Sequence, residues 1–290
     1  MPGSLAALRR GASVTAELVA FPHTIFALPF AFMGMLLGAG GLPSAWQLAW
    51  IVAAMVGART AAMSFNRIVD RRIDAANPRT AARPLPAGRM TLRAALAVLV
   101  ISLALFGASC AALSPLCLRL SPVALLIVLG YSYTKRFTWM SHLFLGLALA
   151  VAPVGAWVAV GGLPSWAPVL LAAAVLLWTA GFDIIYSCQD VGFDRGAGLH
   201  SLPARFGVAR ALRLSSLLHV LMVIALAGMG LLAGLGFVYF TGLACVAVSL
   251  VYEHRLVRPD DLSRVNVAFF TMNGWIAVTL FIATLLDLFF

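Results

Sequence analysis

The sequence predicts an all-α integral membrane protein that crosses the bilayer nine times, and three observations carry that prediction. Hydrophobic residues make up 62% of the 290 positions, charged residues only 10%, and mean hydropathy is +1.00; a soluble domain carries about 25% charged residues. The apolar residues fall into runs of about 20, the length a span needs. The basic residues, all arginine except Lys135, gather in alternate connections between those runs.

Taken in order, the runs place spans at roughly 21–40, 45–65, 92–112, 115–133, 141–161, 166–186, 213–233, 235–252 and 267–288. Residues 4–20 read as a short amphipathic or interfacial lead into the first span. Glu17, Pro22 and His23 interrupt the apolar run, and no small-residue cleavage site follows a short apolar stretch. The long connection after the second span, 78–93, holds prolines and Gly88 that forbid a continuous helix. The connection at 192–210 after the sixth span again combines arginine, glycine and proline. The whole chain, 1–290, reads as one polytopic domain. Its second and sixth spans each end in acidic residues followed by a basic loop, a weak repeat that divides it at about residue 140.

The net charge is +10 and the pI about 10.5, which in a soluble protein would suggest nucleic acid. Here the positive-inside rule accounts for it. With a cytoplasmic N-terminus, the arginines fall in or beside the N-terminus and the connections near 66–91, 134–140, 187–212 and 253–266. Arg119 is the clear exception, and Arg59 lies within the second span. The expected partners therefore include the lipid bilayer and exclude nucleic acid. The four cysteines (Cys110, Cys117, Cys188, Cys245) show neither metal spacing nor a disulfide framework and read as small packing residues.

The acidic residues are the informative ones. There are only ten, and five stand in two clusters: Asn66-Arg-Ile-Val-Asp70-Arg-Arg-Ile-Asp74, and Asp183-Ile-Ile-Tyr186-Ser-Cys-Gln-Asp190-Val-Gly-Phe-Asp194. Carboxylates at the end of a membrane helix are costly and mark function. At about 100° per residue, Asn66, Asp70 and Asp74 drift little around one helical face, which Arg59 shares. Asp183, Tyr186, Asp190 and Asp194 form a second stripe on the same reasoning. Mg2+ is held by one or two carboxylates with phosphate oxygens and waters, so two such stripes suit a Mg2+–diphosphate. Lys135 and the loop arginines would take the remaining phosphate charge. A diphosphate deep in a membrane protein suggests an isoprenoid diphosphate with its tail along apolar helices. Departure of pyrophosphate leaves a cation-like allylic carbon, which Phe65, Tyr131, Tyr133 or Tyr186 would stabilise through a ring face.

Solvated helix ends would explain one such cluster; two, with Asn66 and basic loops beside them, point to a site. A cation-coupled transporter would use carboxylates as an ion path, but both clusters lie on one side and no acidic or broken-helix feature stands at mid-membrane. A non-catalytic lipid-binding scaffold would tolerate their loss. His200 and His219 read as packing or interfacial residues.

These motifs resemble the UbiA superfamily of membrane prenyltransferases over nearly the whole chain. Its N-x-x-x-D-x-x-x-D pattern stands at Asn66, Asp70 and Asp74, and its D-x-x-x-D at Asp190 and Asp194. Its R-P-L-x-x-G segment is Arg83 to Gly88, and its Y-S-x-x-K-R segment is Tyr131 to Arg136. The resemblance implies nine helices around a central cavity and Mg2+-dependent transfer of a polyprenyl chain from its diphosphate to an acceptor. It implies that Asn66, Asp70, Asp74, Asp190 and Asp194 hold Mg2+–diphosphate, that Arg59, Arg83 and Lys135 contact the diphosphate, and that Asp183 and Tyr186 face the acceptor or reacting centre. The branch it most resembles is 4-hydroxybenzoate polyprenyltransferase-like. That implies an aromatic-acid acceptor of hydroxybenzoate or dihydroxynaphthoate type, ubiquinone or menaquinone synthesis, and a bacterial inner membrane with the site toward the cytoplasm. Haem, chlorin or homogentisate-like acceptors are the alternatives within the superfamily. Arg67 departs from the branch pattern and removes a potential ligand; Pro22 departs beside His23, the remaining acceptor-binding candidate.

Overall fold

The structure, a computed structural model, describes residues 13–19 and 24–290. His23 and most of the 4–20 lead lie outside the described residues. Within that lead, 13–18 is helical, and Glu17 is ion-paired with Arg89 in the connection after the second span.

Among the described residues the regular structure is helical, with one isolated bridge between Arg258 and Asp261. In order, α1 is Thr24–Ala39, α2 Ala45–Ala76, α3 Leu92–Leu113, α4 Pro115–Thr134, α5 Ser141–Ala159 and α6 Ala167–Ser187. The short α7, Val191–Gly196, and α8, Leu202–Phe206, follow; then come α9, Val208–Leu232, α10, Phe237–Leu256, and α11, Asn273–Phe289. Among the described residues eight helical stretches are long and apolar enough to cross a membrane; α1, whose apolar part is Leu28–Ala39, falls short of that length. Nine spans were expected, and eight plus this shorter helix are observed.

Local chemistry sets the ends. Ser44 and Gln47 form a capping box at the start of α2. Ser114 caps α4, with Pro115 in its first turn where a missing N–H costs nothing. The left-handed backbone at Gly88 (φ 68°) turns the loop back toward α3.

The helices pack in a closed circuit. α2, α3, α4 and α5 contact in succession; α5 continues onto α6, α9, α10 and α11, and α11 returns through α1 to α5. Small residues allow the closest approaches. A Cβ on Gly34 of α1 would meet the Pro153 carbonyl oxygen of α5 at 2.2 Å, and one on Gly146 of α5 would meet the Leu176 carbonyl oxygen of α6 at 2.3 Å. The deepest core runs through Phe30, Trp178 and Phe182 to Phe269, with Tyr186 packed at its edge. Outward, residues such as Ile101, Leu126, Ile224 and Val248 are exposed, the apolar coat that lipid requires. Trp46, Trp166 and Phe237 stand exposed at helix starts on the face away from the acidic clusters, where a membrane interface favours aromatic side chains.

Three elements differ from expectation. The second span does not stop near 65 but continues to Ala76, so the whole first cluster is helical. The second cluster is not on one regular helix: α6 ends at Ser187, a 3-10 turn covers Cys188–Asp190, and α7 begins at Val191. The tenth helix extends to Leu256, which takes Glu253 out of the expected loop and buries it.

Candidate active site

The ends of α2, α4 and α6 meet the start of α5 and the 197–202 segment around a polar pocket of about 220 Å³. Five aspartates line it: Asp70, Asp74, Asp183, Asp190 and Asp194. Arg67, Arg79, Arg83 and Lys135 line it too, with Asn66, Asn77, Tyr186 and His142. The two acidic clusters, more than a hundred residues apart in sequence, share one cavity.

Most carboxylates are already matched to a cation. Asp70 is buried and meets Lys135 Nζ at 2.6 Å and Arg136 Nη2 at 2.8 Å; Asn66 donates to its second oxygen at 3.2 Å, one helical turn away. Asp74 Oδ1 accepts from Arg83 at 2.7 Å. Its buried Oδ2 accepts no hydrogen bond, and Arg67 Nη1 stands 4.0 Å away. Asp190 accepts from Arg79 through both oxygens and from Asn77 Nδ2 at 3.1 Å. Asn77 is also the residue that ends α2. Arg79 donates further to the Tyr186 hydroxyl at 2.7 Å. Burial works against the Arg79 charge, but its bonds to Asp190 and Tyr186 outweigh burial and hold its pKa above the usual arginine value. Asp194 accepts from Ser201 at 2.7 Å, and Asp183 Oδ2 lies 2.6 Å from His142 Nδ1.

Behind this pocket lies an apolar cavity of about 590 Å³, bounded by α2, α3, α4, α5 and part of α6. Asn66, Tyr131 and Leu145 line both spaces, so they adjoin. Phe182 and Phe269 face the apolar side, and Tyr186 stacks on Phe269 with centroids 4.2 Å apart. Phe269 lies in a π-helical turn, Val267–Met272, where backbone register is locally changed. Asn273 holds that turn by donating to the Ala268 and Phe269 carbonyls and accepting from Trp178 Nε1 at 2.7 Å.

Among the described residues no three metal-ligating side chains are gathered closely enough to hold an ion alone. The donor set nevertheless fits Mg2+. It is all hard oxygen on opposite walls of one pocket, with Asp74 Oδ2 buried and without a hydrogen bond, and Mg2+ takes one or two carboxylates with substrate phosphates and waters completing its shell.

The pattern of the UbiA prenyltransferase family matches residues 27–277. The chain belongs to the UbiA prenyltransferase family. Two curated relatives of this prenyltransferase are named 4-hydroxybenzoate octaprenyltransferase. That of Aeromonas salmonicida is 31% identical over 251 residues, covering 87% of this chain and 86% of the relative. That of Nitrosospira multiformis is 32% identical over 257 residues, covering 88% and 87%. Among solved structures, a UbiA homolog from Aeropyrum pernix aligns with a TM-score of 0.83 at 37% identity, covering 91% of this chain and 98% of that one. A UbiA homolog from Archaeoglobus fulgidus bound to GPP and Mg2+ has the same fold, with a TM-score of 0.76 at 21% identity, covering 95% and 99%.

Of the residues expected at the site of this prenyltransferase, Asn66, Asp70, Asp74, Arg83, Lys135, Asp183, Tyr186, Asp190 and Asp194 all line the polar pocket. Arg59 does not; it lines the apolar cavity two turns deeper on α2. Tyr131 and Tyr186 line the site, but Phe65 and Tyr133 do not. They pack edge-on against each other, and Tyr133 is exposed. Sequence reasoning missed His142, Asn77, Ser201, Phe182 and Phe269. Asn77 ends the helix carrying the first cluster, a signal available in the sequence; His142 has none, since its partner lies 41 residues away.

Proposed function

We propose that the chain transfers a polyprenyl group from its diphosphate to an aromatic acid of 4-hydroxybenzoate or dihydroxynaphthoate type, with Mg2+, on a route to ubiquinone or menaquinone. The observation that carries this reading is the contiguity of a paired-charge pocket with a large apolar cavity at Asn66 and Tyr131. An isoprenoid diphosphate has the matching halves, a multiply charged head and a tail without polar atoms. The curated relatives named 4-hydroxybenzoate octaprenyltransferase support the acceptor class, and the fold neighbour bound to GPP and Mg2+ supports the donor and the metal.

In this reading the pre-formed ion pairs exchange partners. Asp70, Asp74, Asp190 and Asp194, with Asn66, would hold Mg2+, which when bound would supply positive charge for the departing diphosphate. Lys135, Arg83 and Arg79, freed from those carboxylates, turn to phosphate oxygens, which suit arginine's paired N–H groups. The allylic C–O bond breaks and its electron pair leaves with the diphosphate. Tyr186, Phe269 and Tyr131 present ring faces to the developing carbocation, and the apolar wall keeps water from it. Arg59 reaches the diphosphate or acceptor from the apolar side. Asp183 faces the acceptor. The positive-inside distribution of arginine supports a site open to the cytoplasm of a bacterial inner membrane.

Purified protein supplied with Mg2+, a polyprenyl diphosphate and either aromatic acid tests this directly. The expected result is a prenylated acid and pyrophosphate in equal amounts, abolished by EDTA. Absence of product with every acceptor tried would falsify the reading.

A further inference from the structure

We propose that His142 is a positioning residue for the transfer reaction, holding the Asp183 carboxylate fixed in the polar pocket through a neutral ring; this rests on the prenyl-transfer reading above. His142 opens α5, and its side chain is only 4% exposed although it lines the pocket. Its Nδ1 lies 2.6 Å from Asp183 Oδ2. Its Nε2 receives the backbone N–H of Leu202 at 3.3 Å. A ring nitrogen that accepts an N–H carries no hydrogen of its own, so the single hydrogen of the neutral ring is on Nδ1 and is donated to Asp183. A proton added at Nε2 would set two N–H groups against each other in a buried place.

The consequence separates Asp183 from its neighbours. Asp70, Asp74 and Asp190 each contact an arginine or lysine. Asp183 contacts the His142 ring instead. It also follows Phe182, which lines the apolar cavity, so it stands where head and tail of the donor meet. Each transfer forms one bond between the allylic carbon and an acceptor ring carbon, breaks the allylic C–O bond, and releases one proton from the acceptor. Asp183 accepts that proton through the oxygen His142 leaves available, and His142 keeps the carboxylate from rotating toward Lys135 or Arg79.

The donor to His142 is itself anchored. In the segment carrying Leu202, the His200 N–H donates to the Lys135 carbonyl at 2.8 Å and Ser201 donates to Asp194 at 2.7 Å. One short strap therefore ties the holder of Asp183 to the groups that meet the diphosphate.

Two variants of the full-length enzyme and one spectrum test this. His142→Asn retains an N–H near the position of Nδ1; His142→Leu retains none. The expected result is that His142→Leu lowers kcat by about 10- to 100-fold, the share of general-base catalysis that orientation supplies, with the KM for polyprenyl diphosphate unchanged. His142→Asn should stay within about threefold of wild type, and His142→Leu should cost nothing further in an Asp183→Asn background, as expected of two groups acting as one unit. Multiplying losses in the double variant, or an equal kcat loss in His142→Asn and His142→Leu, would overturn the inference. Should His142→Leu fail to fold, 15N NMR of histidine-labelled wild type decides. One ring with protonated Nδ1 and bare Nε2, absent from His142→Asn, supports the assignment; a His142 ring protonated at Nε2 at neutral pH sinks it. Wild-type protein inactive with every aromatic acceptor sinks the proposed function instead, and the NMR readout still decides the His142–Asp183 pair.

Discussion

At the scale of single residues, the site is a set of charges that neutralise one another while waiting for a ligand of both signs. Asp70 is buried between Lys135 and Arg136, and Asn66 supports the buried charge by donating to the same carboxylate. Removing one carboxylate should therefore remove a proposed metal ligand and leave a cation unbalanced. Asp70→Asn and Asp190→Asn are each expected to lower turnover by about 10³-fold or more at saturating Mg2+ and donor, measured as prenylated product per enzyme. Lys135→Met removes the cation proposed to meet phosphate, a charge-assisted contact worth about tenfold or more in affinity, and should appear as a raised KM for polyprenyl diphosphate. The residues carrying these predictions were legible in the sequence because scarcity made them so. In a chain with ten acids, two clusters of them cannot be background. His142 was not legible, because one histidine at the start of an apolar span has no pattern, and only packing of α5 on α6 brings it to Asp183.

At the scale of elements, helix ends do the positioning. α2 runs on to Ala76 and is ended by Asn77, which reaches across to Asp190. The 3-10 turn at Cys188–Asp190 breaks the helix between Asp183 and Asp194, and both residues still line the same pocket. Spacing rules assume unbroken helices, which is why this break was not foreseen. The helix contacts beneath the site depend on bare backbone. Gly146→Leu would drive side-chain atoms into the Leu176 carbonyl, an overpacking of about 1–3 kcal/mol or more. It is expected to lower the Tm of the detergent-solubilised protein. A Cβ on Gly155 meets nothing within 4 Å, so Gly155→Ala should leave Tm unchanged or raise it slightly; a reversed order would count against the packing described for α5.

At the scale of the whole molecule, one ring of helices makes a wet pocket at one end of a dry cavity. Ala124 in α4 lines the dry part. Ala124→Trp is expected to keep activity with short prenyl diphosphates and lose it with long ones, read from product masses in competition between donors. Membrane orientation is testable with single cysteines in a background lacking the native four. Asp260→Cys, in the connection between α10 and the π turn, should react with an impermeant thiol reagent only from the cytoplasmic side, and Leu163→Cys only from the opposite side.

The sequence by itself determined the membrane class, the helical architecture and the two halves of the site, because each is a matter of composition and short-range spacing. Lipid demands long apolar runs with internally satisfied backbone, and carboxylates four residues apart share a helix face whatever surrounds them. What only the tertiary structure decided is which charge meets which: Arg79 with Asp190, Arg83 with Asp74, Lys135 with Asp70, His142 with Asp183. Those partners come from different helices and loops. Ion pairs and hydrogen bonds act over a few ångströms, and the distances between such groups are set by how glycine-lined helices close on one another, which no local pattern in the chain records.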